Sequence, residues 1–156
     1  MRRNKVALYV HLVRATWDRL PLIKPEIERR LLRNIESEAQ KLGCIVLVIN
    51  CVEDHVHVLL MLPTTIAISD LVKQMKGVSS HFANDELELE YQFKWQGSYG
   101  AFTVSRWDVD KIKEYVNRQK EHHATGELMR EFEETFDEFE IDQPSEKSST
   151  QVDDRL

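Results

Sequence analysis

The strongest constraint on the fold is a pair of apolar runs separated by two acidic residues. The runs read CIVLVINC and HVHVLLMLP, and Glu53 and Asp54 lie between them. Apolar segments of this kind, joined by a short polar step, are typical of an antiparallel β-hairpin. Because an isolated two-stranded hairpin is only marginally stable in water, the rest of the chain must supply strands or helices that cover it.

Helical periodicity occurs on both sides of this hairpin, and a strand pattern precedes it at residues 5–14. Before the hairpin, Pro25 suits the first turn of a helix and Gly43 its end. After the hairpin, Ser69 can cap a second helix. Both helices carry an apolar stripe at helical spacing, formed by Ile27, Leu31, Ile35, Ala39 and Leu42 in the first and by Leu71, Met75, Val78 and Phe82 in the second.

The C-terminal half adds a second hairpin pattern and a third helix. QFKW and AFTVS flank the turn sequence QGSYG, and DVDKIKEYVNRQKEHH has helical spacing with Asp108 near its start. The predicted order is therefore β-α-β-β-α-β-β-α. This order predicts an α+β fold of the ferredoxin-like or RRM-like type, a split β-α-β arrangement in which the helices cover one face of an antiparallel sheet.

Charge is distributed unevenly along the 156 residues. The net charge is −6, but residues 127–156 hold eleven acidic and three basic residues, so residues 1–126 carry a net charge of +2. We interpret residues 1–126 as one globular domain, residues 127–141 as an acidic amphipathic helix and residues 142–156 as a disordered tail. The weakly basic body is compatible with a polyanionic partner, although charge alone does not predict one.

No stretch of the sequence indicates a membrane segment. The apolar runs fall short of the roughly 20 residues that cross a bilayer, and no signal-peptide core follows the basic start MRRNK. We therefore expect a cytoplasmic protein. Cys44 and Cys51 lie seven positions apart in one predicted strand. They are too far apart along a strand to form a disulfide with each other, so we expect reduced core thiols.

His55 and His57 are the unexpected polar residues of the second apolar run. Residues two apart in a strand point to the same face, so the two imidazoles project together. Such a pair can hold a metal ion, because neutral histidine is the commonest metal ligand. Alternatively, both rings are simply hydrogen-bonded on a solvent-facing surface. Asp54 could orient one imidazole or serve only the turn.

Tyr115 and Gln119 form a second pair, four residues apart on one face of a predicted helix. Tyrosine can be a covalent nucleophile, but its ordinary pKa near ~10 means that the phenolate or the leaving group must be stabilised. A metal ion on a substrate phosphate would provide this, and Gln119 could add an oxygen ligand to it. By itself, a tyrosine on a helix is more often a packing residue.

Three ordered stretches resemble one family. DHVHVLL, FKWQGSYGAFTVS and VNRQKEHH, the last preceded by Tyr115, are similar to motifs of the single-tyrosine HUH transposases of bacterial insertion sequences, which include the repeat-associated tyrosine transposases. In the HUH motif two histidines flank a hydrophobic residue, here Val56. The opening YVHLVRATWDRLPLI is also similar to this family, so the resemblance covers residues 5–126 but not the acidic tail.

The resemblance implies an enzyme that cuts and rejoins single-stranded DNA next to hairpins. It implies that Tyr115 is the nucleophile and forms a 5′-phosphotyrosine link, and that His55, His57 and Gln119 hold a divalent metal ion. The family uses Mg²⁺ or Mn²⁺, whereas imidazole ligands alone favour zinc, and Mn²⁺ satisfies both arguments. The resemblance also implies a homodimer in which the tyrosine helix of one subunit can complete the site of the other.

Further residues are candidates for contacts with DNA. Six side chains could reach phosphates, namely Arg14, Arg19, Lys73, Lys76, Arg106 and His122. Four aromatic residues could include one that stacks on a base, although most are expected in the core: Trp95, Tyr99, Phe102 and Trp107. As an alternative to DNA contacts, His122 and His123 are expected to be exposed at the helix end. His11 and His81 are expected to be structural.

Two other functions are open at this point. A domesticated relative could retain hairpin-DNA binding and act as a regulator without transposition, although a pure binder has no need of Tyr115 beside a histidine pair. A metal-dependent hydrolase would use a bound water and a carboxylate base, for which only Glu53 and Asp54 are near in sequence.

Overall fold

The computed structural model describes residues 3–126, which form four strands and four helices. The strands are Tyr9–Ala15 (β1), Ile45–Val52 (β2), His55–Met61 (β3) and Gly100–Val104 (β4). The helices are Pro25–Lys41 (α1), Ile68–Glu86 (α2), Val109–Asn117 (α3) and Gln119–Thr125 (α4), and a 3₁₀ turn spans Trp17–Arg19. The predicted acidic helix and disordered tail lie outside the described residues.

The four strands form one antiparallel sheet in the order β2-β3-β1-β4. β2 and β3 are the hairpin predicted from the two apolar runs, and His55 pairs with Val52 directly after the turn. β1 lies in the centre of the sheet between β3 and β4, which are far from it in sequence. The predicted α+β class with an antiparallel sheet is confirmed.

Alternation along the strands gives the sheet two different faces. On one face the central strands place Val56, Val58 and Leu60 against α1 and α2, in a large apolar core with Leu31 and Leu71. The other face is covered by α3 and α4, and its smaller apolar cluster is Val48, Leu59, Ile112, Tyr115 and Val116. The predicted packing of helices on one face therefore holds for α1 and α2, while the last two helices lie on the opposite face.

The two long helices begin and end for identifiable reasons. Pro25 occupies the first turn of α1 as predicted, and Gly43 follows the helix with φ +92°, a conformation that favours glycine. The prediction that Ser69 caps α2 is wrong. The N-cap residue is Ala67, whose carbonyl accepts a hydrogen bond from the Leu71 N–H (3.0 Å), so the first turn closes earlier than the serine would place it.

The predicted strand QFKW, residues 92–95, is not a strand. Trp95 forms only an isolated bridge with Thr16, and the expected hairpin with β4 is not formed. The side chain of Asn84 on α2 instead accepts a hydrogen bond from the Phe93 N–H (2.7 Å) and donates one to the Phe93 carbonyl (2.9 Å). Because a helix side chain satisfies this backbone, the segment packs its aromatic rings into the core without joining the sheet.

The predicted third helix is divided at Arg118 into α3 and α4. The Asn50 side chain on β2 donates hydrogen bonds to the carbonyls of Val116 (2.9 Å) and Asn117 (3.2 Å), which lie where α3 ends. Lys120 on α4 then donates to the Cys51 carbonyl at 3.2 Å. The edge strand β2 therefore stabilises the break and holds both helices against the sheet.

Both cysteines lie inside the fold. Cys44 and Cys51 are both buried and free, as predicted. Burial raises the pKa of the Cys51 thiol to about 12, so this thiol is protonated at neutral pH. Among residues 3–126, no helix combines the length and the hydropathy that crossing a bilayer requires.

Candidate active site

The histidine pair lies on the sheet face that α3 and α4 cover. His55 pairs with Ala15 across the strands and His57 with Val13, and both imidazoles are buried, with 2% and 0% of their surface exposed. The two rings lie edge to face with centroids 5.0 Å apart. The alternative interpretation, a hydrogen-bonded pair on a solvent-facing surface, is therefore wrong, because the helices exclude solvent from this face.

Each histidine of the pair is held by a hydrogen bond at its Nδ1 atom. His55 Nδ1 lies 2.6 Å from the Asp54 carboxylate, to which it donates. His57 Nδ1 lies 2.9 Å from Nε2 of His11, a third buried histidine whose ring stacks on it. Because both Nδ1 atoms are engaged in this way, the Nε2 atoms are left to face the site, which is the arrangement typical of metal-binding histidines.

Asp54 performs both roles that the sequence left open. Its carboxylate orients His55, and this hydrogen bond is the largest cause that lowers the pKa of Asp54, with Arg19 and His123 adding attraction and burial opposing it. Its backbone carbonyl accepts hydrogen bonds from the N–H (2.8 Å) and hydroxyl (3.1 Å) of Thr16. The β2–β3 turn is thereby fixed to the end of β1.

Tyr115 and Gln119 reach the histidine pair from α3 and α4. The Tyr115 ring lies edge to face with His57 at a centroid distance of 6.3 Å, and Gln119 Nε2 lies 3.4 Å from His55 Nε2. Both side chains are buried, with 3% of Tyr115 and 0% of Gln119 exposed. The structure therefore brings together the four residues that the sequence motifs single out, although about sixty positions separate the two pairs.

His122 and His123 also lie in this site. The prediction that they are exposed at a helix end is wrong, because both are half-buried. The His122 ring stacks on Tyr115 with centroids 4.5 Å apart and planes 17° apart, and the His123 ring lies 4.7 Å from that of His55. The break at Arg118 turns α4 so that residues three and four positions beyond Gln119 face the sheet.

The donor set suits a divalent metal ion with open positions. Two imidazole nitrogens and one amide converge, and rotation of the Gln119 amide exchanges its nitrogen and oxygen, so the side chain can present an oxygen beside His55. Within residues 3–126, no group of three or more His, Cys, Asp or Glu side chains is arranged to hold a metal ion. A closed structural zinc site of that kind is therefore absent from the described part, and a metal ion held only by two imidazoles and one amide would keep open positions.

The residues predicted to contact phosphates are scattered. Lys73 is exposed on α2, across the sheet from the histidines, and Arg106 is exposed beyond β4 with its guanidinium 4.4 Å from the Trp107 ring centroid. Arg19 follows β1 close to Asp54. Arg14 is largely buried, where it donates to the Gln96 carbonyl (3.1 Å), and burial lowers its pKa to about 10. Lys76 is half-buried on α2.

The four aromatic candidates for base stacking are also separated. Trp95 is in the core and donates to the Ser79 hydroxyl (2.9 Å), while Tyr99 and Phe102 are half-buried. Trp107 is exposed, but it follows β4 at the end of the sheet away from His55. Phe102 is the one of these four rings that the described contacts place beside the site, because it pairs with His11 across the strands and its ring centroid lies 6.4 Å from that of His11.

Sequence reasoning missed His11 and Asn50. His11 was expected to be structural and His81 likewise, but His11 supports His57 whereas His81 forms an exposed pair with Asp85 on α2. Strand alternation could have indicated His11. It lies two and four positions before Val13 and Ala15, the cross-strand partners of the histidine pair, so its side chain points to the same face of the sheet. No sequence pattern indicates that Asn50 ends α3, because the contact spans 66 positions.

The sequence of this chain is similar to those of a known protein family. The profile of the family described as "Transposase IS200 like" matches residues 4–119. Transposases for insertion sequence element IS200 from Salmonella typhimurium and Salmonella typhi are each 29% identical over 84 residues, which is 51% of this chain and 55% of theirs. The chain thus spans about half the length of these curated relatives.

Solved structures share the fold. One neighbour, a Deinococcus radiodurans R1 protein itself only proposed to be a transposase, is 27% identical with a TM-score of 0.58, over 76% of this chain and 98% of the other. A second neighbour is a REP-associated tyrosine transposase bound to a REP hairpin, with 15% identity and a TM-score of 0.58 over 100% of this chain and 97% of that one. At that identity the second likeness shows the fold alone.

Proposed function

The chain belongs to the IS200-like transposase family, and we propose that it cleaves and rejoins single-stranded DNA near hairpins through a 5′-phosphotyrosine intermediate on Tyr115. One observation carries this proposal: Tyr115 and Gln119 are buried against His55 and His57, although the two pairs are far apart in sequence. A hydrophobic core does not require this concentration of polar groups, whereas phosphoryl transfer requires a nucleophile next to a group that stabilises charge.

The covalent step conserves the energy of the phosphodiester. The Tyr115 Oη–phosphorus bond forms and the phosphorus–O3′ bond breaks, while the phenol loses its proton and the departing 3′ oxygen gains one. Attack by a 3′-hydroxyl on the phosphotyrosine reverses the exchange and reseals the DNA. Because bonds of similar energy are exchanged, neither direction needs a nucleotide triphosphate.

We assign His55, His57 and Gln119 as the ligands of Mg²⁺ or Mn²⁺. When bound, such an ion polarises the scissile phosphate and neutralises charge on it. The protein's own contribution is orientation. Asp54 and His11 hold the two imidazoles by their Nδ1 atoms, with His55 Nε2 beside the Gln119 amide and the His57 ring beside that of Tyr115.

Tyr115 must be uncovered before it can attack a phosphate, because only 3% of its surface is exposed. Its ring is covered by His122, which belongs to α4, while Tyr115 itself belongs to α3. We propose that the break at Arg118 lets these two helices separate when DNA enters. The homodimer with sites shared between subunits remains a prediction; within one chain, Tyr115 lies beside that chain's own His57.

The same burial is the observation that favours the alternative, a domesticated regulator that binds hairpin DNA without transposition. In such a protein Tyr115 and His122 would be packing residues, and the site would remain closed on binding. The two functions differ in a single product, the covalent adduct between protein and DNA.

A denaturing gel tests the proposal directly. The wild-type chain, Tyr115→Phe and the control Tyr9→Phe are incubated with Mn²⁺ and single strands from both flanks of the chain's own gene. We expect an SDS-resistant slower band with the wild type and Tyr9→Phe, and none with Tyr115→Phe or with EDTA. An adduct formed by Tyr115→Phe would refute the nucleophile. Tight binding without any adduct would establish the regulator.

A further inference from the structure

A pocket beside the histidine pair has the features of a nucleotide-binding site. Trp17 lies in the 3₁₀ turn that follows β1, where 46% of its surface is exposed. The two residues after it, Asp18 and Arg19, both have φ +52°, the left-handed conformation that costs non-glycine residues about 1–2 kcal/mol each. Strain of this kind persists where the surroundings enforce it, and it concentrates at functional sites.

The surroundings do enforce this turn. The Thr16 hydroxyl donates to the Leu20 carbonyl at 2.6 Å, the Trp17 N–H donates to the Lys94 carbonyl at 2.9 Å, and the Asp18 N–H donates to Gln96 Oε1 at 3.3 Å. The turn is thus held in one shape from both sides. An exposed indole on a turn whose backbone is fixed is suited to stacking, because the backbone loses little conformational freedom when a planar ligand binds.

The pocket next to this turn has a volume of about 440 Å³ and is lined by residues 15–19 together with Gln96 and Ser98. This volume falls in the range of small-ligand sites, roughly 300–1,000 Å³. Its lining combines the indole with groups that can recognise a polar edge. Nε2 of Gln96 forms no hydrogen bond to any other residue in the described part of the chain, so both of its N–H groups can donate to a ligand.

Positive charge surrounds the same turn. Lys94 Nζ lies 3.7 Å from the centre of the Trp17 ring, and Arg14 donates to the Gln96 carbonyl. Lys76 on α2 is close enough to Arg14 and Lys94 that their repulsion, after burial, lowers its pKa. Within residues 3–126 neither Lys76 nor Lys94 forms an ion pair, so their charge is available to an anion, whereas the guanidinium of Arg14 is largely buried.

This pocket is adjacent to the proposed catalytic site. Ala15, which lines it, is the cross-strand partner of His55, and Thr16 is hydrogen-bonded to the carbonyl of Asp54. A nucleic-acid strand with one phosphate at the histidine pair would therefore pass the indole within a few nucleotides.

We propose that this pocket binds one unpaired base of the single-stranded DNA beside the scissile phosphate, stacked on Trp17 and contacted by Gln96, with neighbouring phosphates at Lys94 and Lys76. The inference rests on the proposed function, because it concerns the same substrate. It identifies a recognition site for single-stranded DNA, separate from any contact with the hairpin duplex. Stacking on an aromatic ring is sequence-tolerant, and the Gln96 amide adds a preference for base edges that carry acceptors.

The test compares Trp17→Ala, Trp17→Phe and the control Trp107→Ala, which removes an equally large exposed indole at the other end of the sheet. Two fluorescent DNA probes are used: a hairpin with a single-stranded flank from the chain's own gene, and the same hairpin without the flank. We expect Trp17→Ala to weaken binding of the flanked hairpin about tenfold, because stacking on aromatic rings contributes this much per base. Binding of the blunt hairpin should stay unchanged, Trp17→Phe should recover most of the loss, and Trp107→Ala should bind as the wild type does.

A second measurement locates the base. With 2-aminopurine placed at successive positions of the flank, its fluorescence should fall on binding to the wild type at one position, and this quenching should disappear with Trp17→Ala. Equal binding of wild type and Trp17→Ala, with normal adduct formation, would overturn the pocket and leave the proposed function standing. Equal losses on both probes would overturn recognition of an unpaired base. If the wild type neither binds nor reacts, both proposals fail.

Discussion

The two faces of the sheet are built from alternate residues of the same strands, yet they differ in chemistry. Toward α1 and α2, β3 presents Val56, Val58 and Leu60 to a continuous apolar core. Toward α3 and α4, the same strand presents His55 and His57, and the apolar pattern begins only with Leu59 and Met61. One face therefore supplies most of the hydrophobic burial.

The difference shows how a small domain can bury a cluster of histidines. Burying polar groups is unfavourable unless each finds a hydrogen-bond partner, and here Asp54 and His11 supply partners for the pair. Because the large core lies on the other face, the helices over the site can be short and divided. We infer that stability and chemistry are separated by the sheet, and five substitutions test this separation.

The largest effect is expected from His57→Ala. Loss of a metal ligand should reduce Mn²⁺ affinity by more than the roughly 10- to 100-fold that follows loss of an outer hydrogen-bond partner. Titration calorimetry with Mn²⁺ measures this directly, and circular dichroism should show that the core face stays folded. Unchanged affinity would remove His57 from the metal site.

Adjacent leucines on opposite faces give a matched pair. Leu59 and Leu60 are both fully buried, but Leu60 packs in the large core and Leu59 in the small cluster with Tyr115. We expect Leu60→Ala to lower the free energy of unfolding by about 3–4 kcal/mol and Leu59→Ala by about 2–3 kcal/mol, because the smaller cluster can collapse more readily. Urea denaturation gives both values.

For activity we expect the opposite order: Leu59→Ala should be the more impaired variant, although Leu60→Ala is the less stable one. At a temperature where both are folded, Leu60→Ala should form the DNA adduct as the wild type does, whereas Leu59→Ala should be impaired because Tyr115 loses a packing partner. Equal impairment of the two variants would show that the faces are not independent.

His11→Phe tests the role of a supporting residue on the sheet face that α3 and α4 cover. Phenylalanine retains a ring of similar shape but removes the hydrogen bond to His57 Nδ1, so we expect Mn²⁺ affinity to fall about 10- to 100-fold. Activity should recover at high Mn²⁺ concentration, which a general folding defect would not do. The control His81→Phe changes a histidine that is 82% exposed on α2, and it should leave the affinity unchanged.

Asn50→Ala should have the smallest effect. It removes two hydrogen bonds to the carbonyls that end α3, with an expected cost of about 1–2 kcal/mol in the free energy of unfolding. Because these bonds fix the joint at Arg118, hydrogen exchange should become faster in residues 117–125 and stay slow in α1. Faster exchange throughout the chain would contradict a local role.

Local patterns predicted the parts of the molecule that depend on local physics. The turn at Glu53 and Asp54 fixed the hairpin, and the period of two along β3 placed His55 and His57 on one face. Helical spacing likewise brought Tyr115 and Gln119 to one side of the chain, and the structure keeps both beside the histidines although Arg118 interrupts the helix.

The remaining features depend on partners that are distant in sequence. QFKW has the composition of a strand, but Asn84 on α2 satisfies the backbone of Phe93. The division at Arg118 requires Asn50 on β2, and the role of His11 requires β1 to lie between β3 and β4. Periodicity within a segment gives no information about such long-range pairings, which explains these failures.

The alternation of β3 has a genetic consequence. Substitutions in this strand act on one face at a time, but deletion of a single codon between His55 and Met61 would exchange the faces for every residue beyond it. The adjacent strand shows how an added residue is tolerated, because β2 shifts register between Val46 and Val48 and leaves Leu47 outside the pairing. Because β3 has no such bulge, we expect substitutions in this strand to be tolerated more readily during evolution than insertions or deletions.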